Sequence, residues 1–268
     1  MGTVIVTMGR KDTYKEWNDW IRFFRRTDCH KWIIGAETGA NGHQHWQVRF
    51  RSRFTAEQIS GALRQAYPDG RQIHTENASD KWEYEAKEGK YLASWDTMDA
   101  RRQRFGKPRW AQKGAIEAVY KTNDREIVFW YDETGNRGKS WLTGHLFETG
   151  EAYYLPPYLT SVQSMIQTLA SLVLADRESG NPPRPLIVID IPRSWKWSTE
   201  LYVAIEAIKD GLIMDPRYSA RPINIRGCKV LVLTNTMPKL DKLSSDRWVQ
   251  YDPILWDQVW GKHERALP

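Results

Sequence analysis

The apolar positions of the first hundred residues fall into short strand-like runs separated by stretches of helical spacing. Residues 3–8 (TVIVTM) read as a strand, and 12–27 follow with Trp17, Trp20, Ile21 and Phe24 on one helical face suited to packing on a sheet. Two further strands, 31–36 (KWIIGA) and 45–50 (HWQVRF), are joined by the turn-rich TGANG. A helix near 55–66, a strand near 71–76 and a helix carrying Tyr84 and Lys87 complete a small α+β domain, assigned to residues 1–100. The pattern then changes. An apolar run at 126–131 (EIVFWY) precedes a glycine-rich turn, and Leu186–Ile189 and Val230–Leu233 are two more buried-strand candidates, with helical patterns at 161–175 and 198–209. Short apolar strands alternating with helices predict a parallel α/β sheet over residues 116–268.

Between these halves, residues 101–115 read as a basic linker. Its core, RRQRFGKPRWAQK at 101–113, holds basic residues and no acid, with Gly106 and Pro108 in the middle. Such a segment serves equally as a solvated hinge or as a contact to DNA backbone. The whole chain of 268 residues carries a net charge of +6, which is compatible with a nucleic-acid partner without requiring one. Its 14 tryptophans suit cores, and some of them suit base stacking on single strands. Cys29 and Cys228 form no disulfide framework and no thiolate zinc site, which points to a reducing compartment. The first residues are too charged for a signal peptide and no apolar run is long enough to span a bilayer, so the expectation is a soluble intracellular protein.

Candidate chemistry clusters in two places. Residues two apart along a strand share a face, so His43, His45 and Gln47 line up, and Glu37 can return to them across the glycine-containing turn. One carboxylate, one imidazole and one amide oxygen make an open site for Mg²⁺ or Mn²⁺ rather than for zinc. His43 is either a further ligand or only a neighbour. Tyr84-x-x-Lys87 sets a phenol one helical turn from an ammonium. A phenol, with a reference pKa of about 10, needs a metal-activated phosphate and a nearby cation to act as a nucleophile, and Lys87 can be that cation. Tyr91, the nearest competitor, has no lysine three residues after it.

The second cluster is Gly135, Asn136, Gly138, Lys139 and Ser140 after an apolar run. Backbone N–H groups there can cradle phosphate, Lys139 can reach the β/γ oxygens and Ser140 can hold Mg²⁺. The standard pattern has a glycine where this chain has Glu133. Asp190, closing the strand LIVID, suits the Mg²⁺ shell, but Ile191 stands where many such sites carry a second acid.

On these motifs the chain resembles the replication initiator proteins of small circular single-stranded DNA viruses, almost end to end. Val6-Thr7-Met8 resembles their first strand motif. Glu37 with His45-Trp46-Gln47 resembles their metal motif, and Tyr84–Lys87 with Glu88-Gly89 their third. The wording of WIIGAETGANGHQHWQVRF is most similar to the branch found in faecal viruses, the smacoviruses. The resemblance implies an N-terminal HUH endonuclease domain, an antiparallel sheet with flanking helices, followed by an AAA+-like superfamily 3 helicase domain. It implies rolling-circle replication: Tyr84 attacks a phosphodiester at the origin hairpin, becomes joined to the 5′-phosphate, frees a 3′-hydroxyl and later rejoins the circle. Gly-Asn-x-Gly-Lys-Ser is a phosphate-loop variant of these initiators. Asn235 resembles the residue that superfamily 3 helicases use to sense the γ-phosphate, and Arg247 is assigned as an arginine finger acting on a neighbouring subunit. The implied cofactors are Mg²⁺ or Mn²⁺ at the nuclease site and Mg²⁺ with ATP at the other. The implied partners are single-stranded and hairpin DNA and copies of the chain in a hexameric ring. Its place is the host cell, in the nucleus of a eukaryotic host. Glu133 and Ile191 keep open a DNA-binding nickase whose ATPase half is degenerate. A cellular phosphate-loop ATPase with an unrelated first domain is a third reading.

Overall fold

The computed structural model describes the chain except residues 11–15, 68–72, 157–158, 160, 216, 218–219 and 261–268. It divides into two compact units, Met1–Phe105 and Gly106–Pro268.

In the first unit, β1 (Gly2–Gly9), β2 (Trp32–Thr38), β3 (Gln44–Ser52), β4 (His74–Asn77) and β5 (Tyr91–Ala93) form an antiparallel sheet in the order β4-β1-β3-β2-β5. The period-two alternation of strands sorts its residues onto two faces. Val4, Val6, Met8, Ile34, Ala36, Trp46, Val48 and Phe50 point one way and pack on α1 (Trp17–Arg26) and α2 (Ala56–Ala66) through Trp20, Phe24, Ile59 and Leu63. Gly35, Glu37, His45, Gln47 and Arg49 alternate with that set and so belong to the other face. On that face a small apolar cluster of Ile33, Trp82 and Ala93 packs with Ala86 and Tyr91. Two expectations fall partly outside the described residues: 12–15 of the first helix and 71–72 of the strand near 71–76.

Two corrections concern elements. Tyr84 does not lie on an α-helix; Tyr84–Ala86 is one turn of 3-10 helix, closed by Lys87 N–H donating to the Tyr84 carbonyl at 3.3 Å. A 3-10 turn has three residues per turn, so Lys87 still stacks over Tyr84. The linker expected at 101–115 is mostly helical. Residues 101–105 finish α3 (Met98–Phe105) and 110–115 begin α4 (Trp110–Tyr120), leaving 106–109 between them. Two of its arginines are structural: Arg104 is buried against Asp96 at 2.7 and 3.0 Å, and Arg101 donates to the Ala93 carbonyl at 3.0 Å.

The second unit is built on a parallel sheet of β6 (Ile127–Tyr131), β7 (Ala152–Leu155), β8 (Leu186–Ile191), β11 (Lys229–Thr234) and β12 (Trp248–Tyr251), in the order β12-β6-β11-β8-β7. Sheets of this kind are covered on both faces, which is why their strands read as unbroken apolar runs. Ile127, Phe129, Ile187, Ile189, Val230 and Val232 pack with α6 (Val162–Glu178) and α7 (Thr199–Asp210). Val128, Trp130, Val188, Leu231 and Leu233 pack with α4 and α5 (Lys139–Glu148). β9 (Leu212–Asp215) and β10 (Arg221–Asn224) form a separate antiparallel hairpin, and α8 (Pro253–Trp260) follows β12. Among the described residues no helix is long and apolar enough to cross a membrane.

Candidate functional sites

Strand register assembles the first site. Glu37 on β2 sits directly opposite His45 on β3, Gly35 opposite Gln47, and Thr7 on β1 opposite Gln47 from the other side. The Glu37 carboxylate is 4% exposed, and its Oε2 lies 3.3 Å from His45 Nε2 and 2.7 Å from Lys87 Nζ. Its Oε1 is buried with no hydrogen-bond partner. The Gln47 amide is oriented by Thr7, whose hydroxyl donates to Oε1 at 2.7 Å. His45 Nδ1 is 3.4 Å from the His43 carbonyl oxygen, while its Nε2 faces the Glu37 carboxylate. The His43 ring itself lies nearly parallel to that of His45, 6.3 Å away between centroids, and its backbone carbonyl is what meets the His45 ring nitrogen.

The tyrosine reaches this group through a close approach of the backbone. A Cβ on Gly35 would lie 2.4 Å from the Glu85 carbonyl oxygen, so only glycine lets the Tyr84–Ala86 turn lie against β2. Beneath it, Arg49 donates to Glu85 at 2.8 Å and to the Ser79 carbonyl at 2.6 Å. Burial pushes the Glu85 carboxyl up against the opposing pull of Arg49. Lys87 Nζ lies 3.6 Å from the centroid of the Tyr84 ring while bonded to Glu37. Burial alone would lower the pKa of this ammonium, but its bonds to Glu37 and Tyr84 outweigh that and hold it above the ordinary lysine value. Tyr84 is 38% exposed, whereas the groups behind it are not. The structure thus brings Glu37, His45, Gln47, Tyr84 and Lys87 together. Sequence reasoning missed Arg49 and Glu85; Arg49 continues the i, i+2 series from His45 and Gln47, and that was the available signal.

The second site forms where three parallel strands end, the edge at which open α/β sheets bind ligands. Register aligns Tyr131, Thr234 and Ile191, so Asp132, Asn235 and Asp190 gather at one edge. The loop turns at Gly135, Asn136 and Gly138, all with left-handed φ of 80°, 63° and 82°. Glu133 is not among the positive-φ residues, so its position makes no demand for glycine; its carbonyl accepts from Arg193 at 2.8 Å. Gly138 then caps α5, on which Lys139 is buried and Ser140 exposed. Lys139 Nζ is 3.1 Å from Asp132 Oδ2, and Asp132 Oδ1 accepts from Thr134 at 3.0 Å. Asn235 donates to the Asp132 carbonyl at 2.6 Å. Burial outweighs the ion pair at Lys139 and lowers its pKa. At Asp132 burial is overcome by the bonds from Lys139 and Thr134, and the carboxyl falls below its usual range. Burial raises Asp190, with Lys139 pulling the other way. Ile191, at the position where many such sites carry a second acid, is a fully buried core residue. Asp132, Gln112 and Arg193 escaped sequence reasoning, because nothing in the motif marks them.

Arg247 stands apart from this site. It precedes β12, whose first residue Trp248 pairs with the first residue of β6, so it lies at the opposite edge of the sheet from the loop. Its guanidinium is buried and paired with Asp210 at 2.9 Å and Glu206 at 3.3 Å. Within the single chain Arg247 is thus engaged in an intramolecular ion pair, and its role as an arginine finger towards a neighbouring subunit is a proposal. Among the described residues no group of three His, Cys, Asp or Glu is placed to hold a metal ion.

No protein-family model matches the chain. Curated relatives do. The chain is 28% identical over 166 residues to the master replication protein of Faba bean necrotic yellows virus (isolate Syrian SV292-88), covering 62% of this chain and 49% of that protein. It is 27% identical over 135 residues to the master replication protein of Subterranean clover stunt virus (strain F), covering 50% and 42%. To Para-Rep C6 of the Subterranean clover stunt C6 alphasatellite it is 33% identical over 129 residues, covering 46% and 39%. The chain therefore spans less than half the length of these relatives. Among solved structures, a formyltetrahydrofolate deformylase from Pseudomonas putida KT2440 overlaps 74% of this chain and 63% of its own at 9% identity and a TM-score of 0.22, too low to bear on the fold.

Proposed function

We propose that the chain is a replication protein of circular single-stranded DNA viruses, as the relatives it resembles are named, and that its first unit is an HUH endonuclease that nicks and rejoins single-stranded DNA at an origin hairpin. The observation that carries this reading is the Lys87 ammonium held between the Tyr84 ring and the buried Glu37 carboxylate. In the reaction, the Tyr84 oxygen forms a bond to phosphorus and the bond from phosphorus to the 3′-oxygen breaks. The phenolic proton goes to water, the 3′-oxygen leaves as a hydroxyl, and the 5′ side stays joined to the enzyme as phosphotyrosine. Reversal by a 3′-hydroxyl rejoins the strand. Lys87 opposes the negative charge that grows on the phosphoryl oxygens.

Glu37, His45 and Gln47 would hold Mg²⁺ or Mn²⁺. The unpartnered, buried Glu37 Oε1 fits that role, and a set of one carboxylate, one imidazole and one amide suits a hard cation better than zinc. Such an ion, when bound, supplies Lewis-acid polarisation of the scissile phosphoryl group. The test is covalent trapping on a labelled single-stranded origin oligonucleotide with Mg²⁺ or Mn²⁺ present. An adduct on the unaltered protein and none on Tyr84→Phe is expected; an adduct that survives Tyr84→Phe removes Tyr84 as the nucleophile.

The second unit, in the same reading, binds and hydrolyses ATP to drive unwinding, as part of a homo-oligomeric ring working at the site of viral DNA replication in the host cell. Lys139 and the amides after Gly138 would take the phosphates, Ser140 and Asp190 would hold the Mg²⁺ that accompanies ATP, and Asn235 would monitor the γ-phosphate. Turnover by the purified chain, abolished in Lys139→Ala, is the expected result. A chain that binds and joins DNA but never hydrolyses ATP would instead be an origin-binding nickase.

A further inference from the structure

A cavity of about 400 Å³ opens beside the phosphate loop, lined by Lys107, Arg109, Gln112, Asn136, Gly138 and Trp141. That volume falls in the range of small-ligand sites, about 300–1,000 Å³. Its walls are held in place. Gln112, only 2% exposed, donates from Nε2 to the Gly138 carbonyl at 2.8 Å and accepts from the Arg109 N–H at 2.7 Å. One side chain thereby fastens the start of α4 to the loop, and a Cβ at Gly138 would meet Gln112 Nε2 at 2.7 Å. Trp141, in the first turn of α5, lies parallel to His145 one turn further on, with centroids 5.0 Å apart and 10° between planes. His145 covers one face of the indole and fixes its orientation, while the cavity lies against the rest. Lys107 and Arg109 add two exposed cations.

We infer that this cavity receives the nucleoside end of the triphosphate, with the base stacked on Trp141 and Lys107 and Arg109 beside the ribose and α-phosphate. The inference rests on the phosphate-loop reading and adds to it the group that grips the base. The cavity begins at Asn136 and Gly138, the loop residues that would cradle the phosphates, so one ligand can fill both. A base offers a π-face to an aromatic ring whatever its identity, so Trp141 supplies affinity more than base choice.

Calorimetric titration of the whole chain with ATP and, separately, with inorganic tripolyphosphate tests this. Trp141→Ala should weaken ATP about tenfold, the scale of one base–aromatic stack, and leave tripolyphosphate unchanged. Trp141→Phe should keep most of the ATP affinity, and Lys139→Ala should weaken both ligands. Unchanged ATP affinity in Trp141→Ala, or an equal fall for both ligands, overturns the base site while leaving the phosphate loop standing. If the unaltered protein binds neither ligand, the phosphate loop fails first and the base site with it. Photolabelling the unaltered protein with 8-azido-ATP needs no variant: label should fall within 106–112 or 139–148, and label confined elsewhere rejects the proposal.

Discussion

Gly35 and Arg49 decide the first site more than any motif residue does, because they set where the Tyr84 turn lies. Gly35→Ala puts a methyl 2.4 Å from a backbone oxygen, and backbone cannot rotate out of the way as a side chain can. Overpacking of this kind costs about 1–3 kcal/mol, so urea denaturation should register a loss of that size, with adduct formation falling further because Tyr84 is displaced. Unchanged adduct yield would mean that the approach of the turn to β2 is irrelevant to the chemistry. Arg49 matters through charge. Glu85 has its folded pKa raised by burial, so its contribution to stability is fully present below the unfolded carboxyl value of about 4.3 and is lost as pH rises through the folded one. Arg49→Met removes the cation that limits this loss. It should destabilise by about 3–5 kcal/mol at pH 7, a deficit that shrinks towards pH 4 as Glu85 is protonated. A deficit independent of pH would assign the effect to packing alone.

At the scale of elements, the parallel strands of the second unit do the positioning. Three strand ends in register deliver Asp132, Asp190 and Asn235 to one edge, and α5 begins beside them at Gly138 with no side-chain cap. The opposite edge holds Arg247 between Asp210 and Glu206. Arg247→Ala should therefore lower the melting temperature of the second unit, leave Asp210 and Glu206 without their cation, and reduce ATP turnover only as far as folding is reduced. Turnover lost at full stability would instead support the role of Arg247 at a neighbour's site.

For the whole molecule, the relevant fact is that each unit has its own core. One sheet face with α1 and α2 encloses the first, and two faces of the parallel sheet enclose the second. Residues 1–105 alone are expected to fold, shown by a cooperative thermal transition, and to form the DNA adduct without ATP. Residues 106–268 alone are expected to bind nucleotide without forming an adduct. A first fragment that fails to melt cooperatively would show that its core depends on the rest of the chain.

Period and spacing in the sequence determine most of the elements by themselves. The alternation in 2–9, 32–38 and 44–52 and the unbroken runs at 127–131, 186–191 and 229–234 follow from local sterics and from which faces must be buried, so they are legible residue by residue. The motif positions are legible too, since Glu37, His45, Gln47, Tyr84, Lys87 and Lys139 carry recognisable chemistry at recognisable spacings. What tertiary structure alone decides is who meets whom. The close approach of the Tyr84 turn to β2 depends on Gly35, the occupation of Lys139 by Asp132 depends on how the loop folds back, and the pairing of Arg247 depends on two carboxylates of α7. These are encounters between residues far apart in sequence, and no local period encodes them. Glu133 makes the same point from the other direction: it reads as a defect in a motif, yet the turn is made two residues later, where φ is positive.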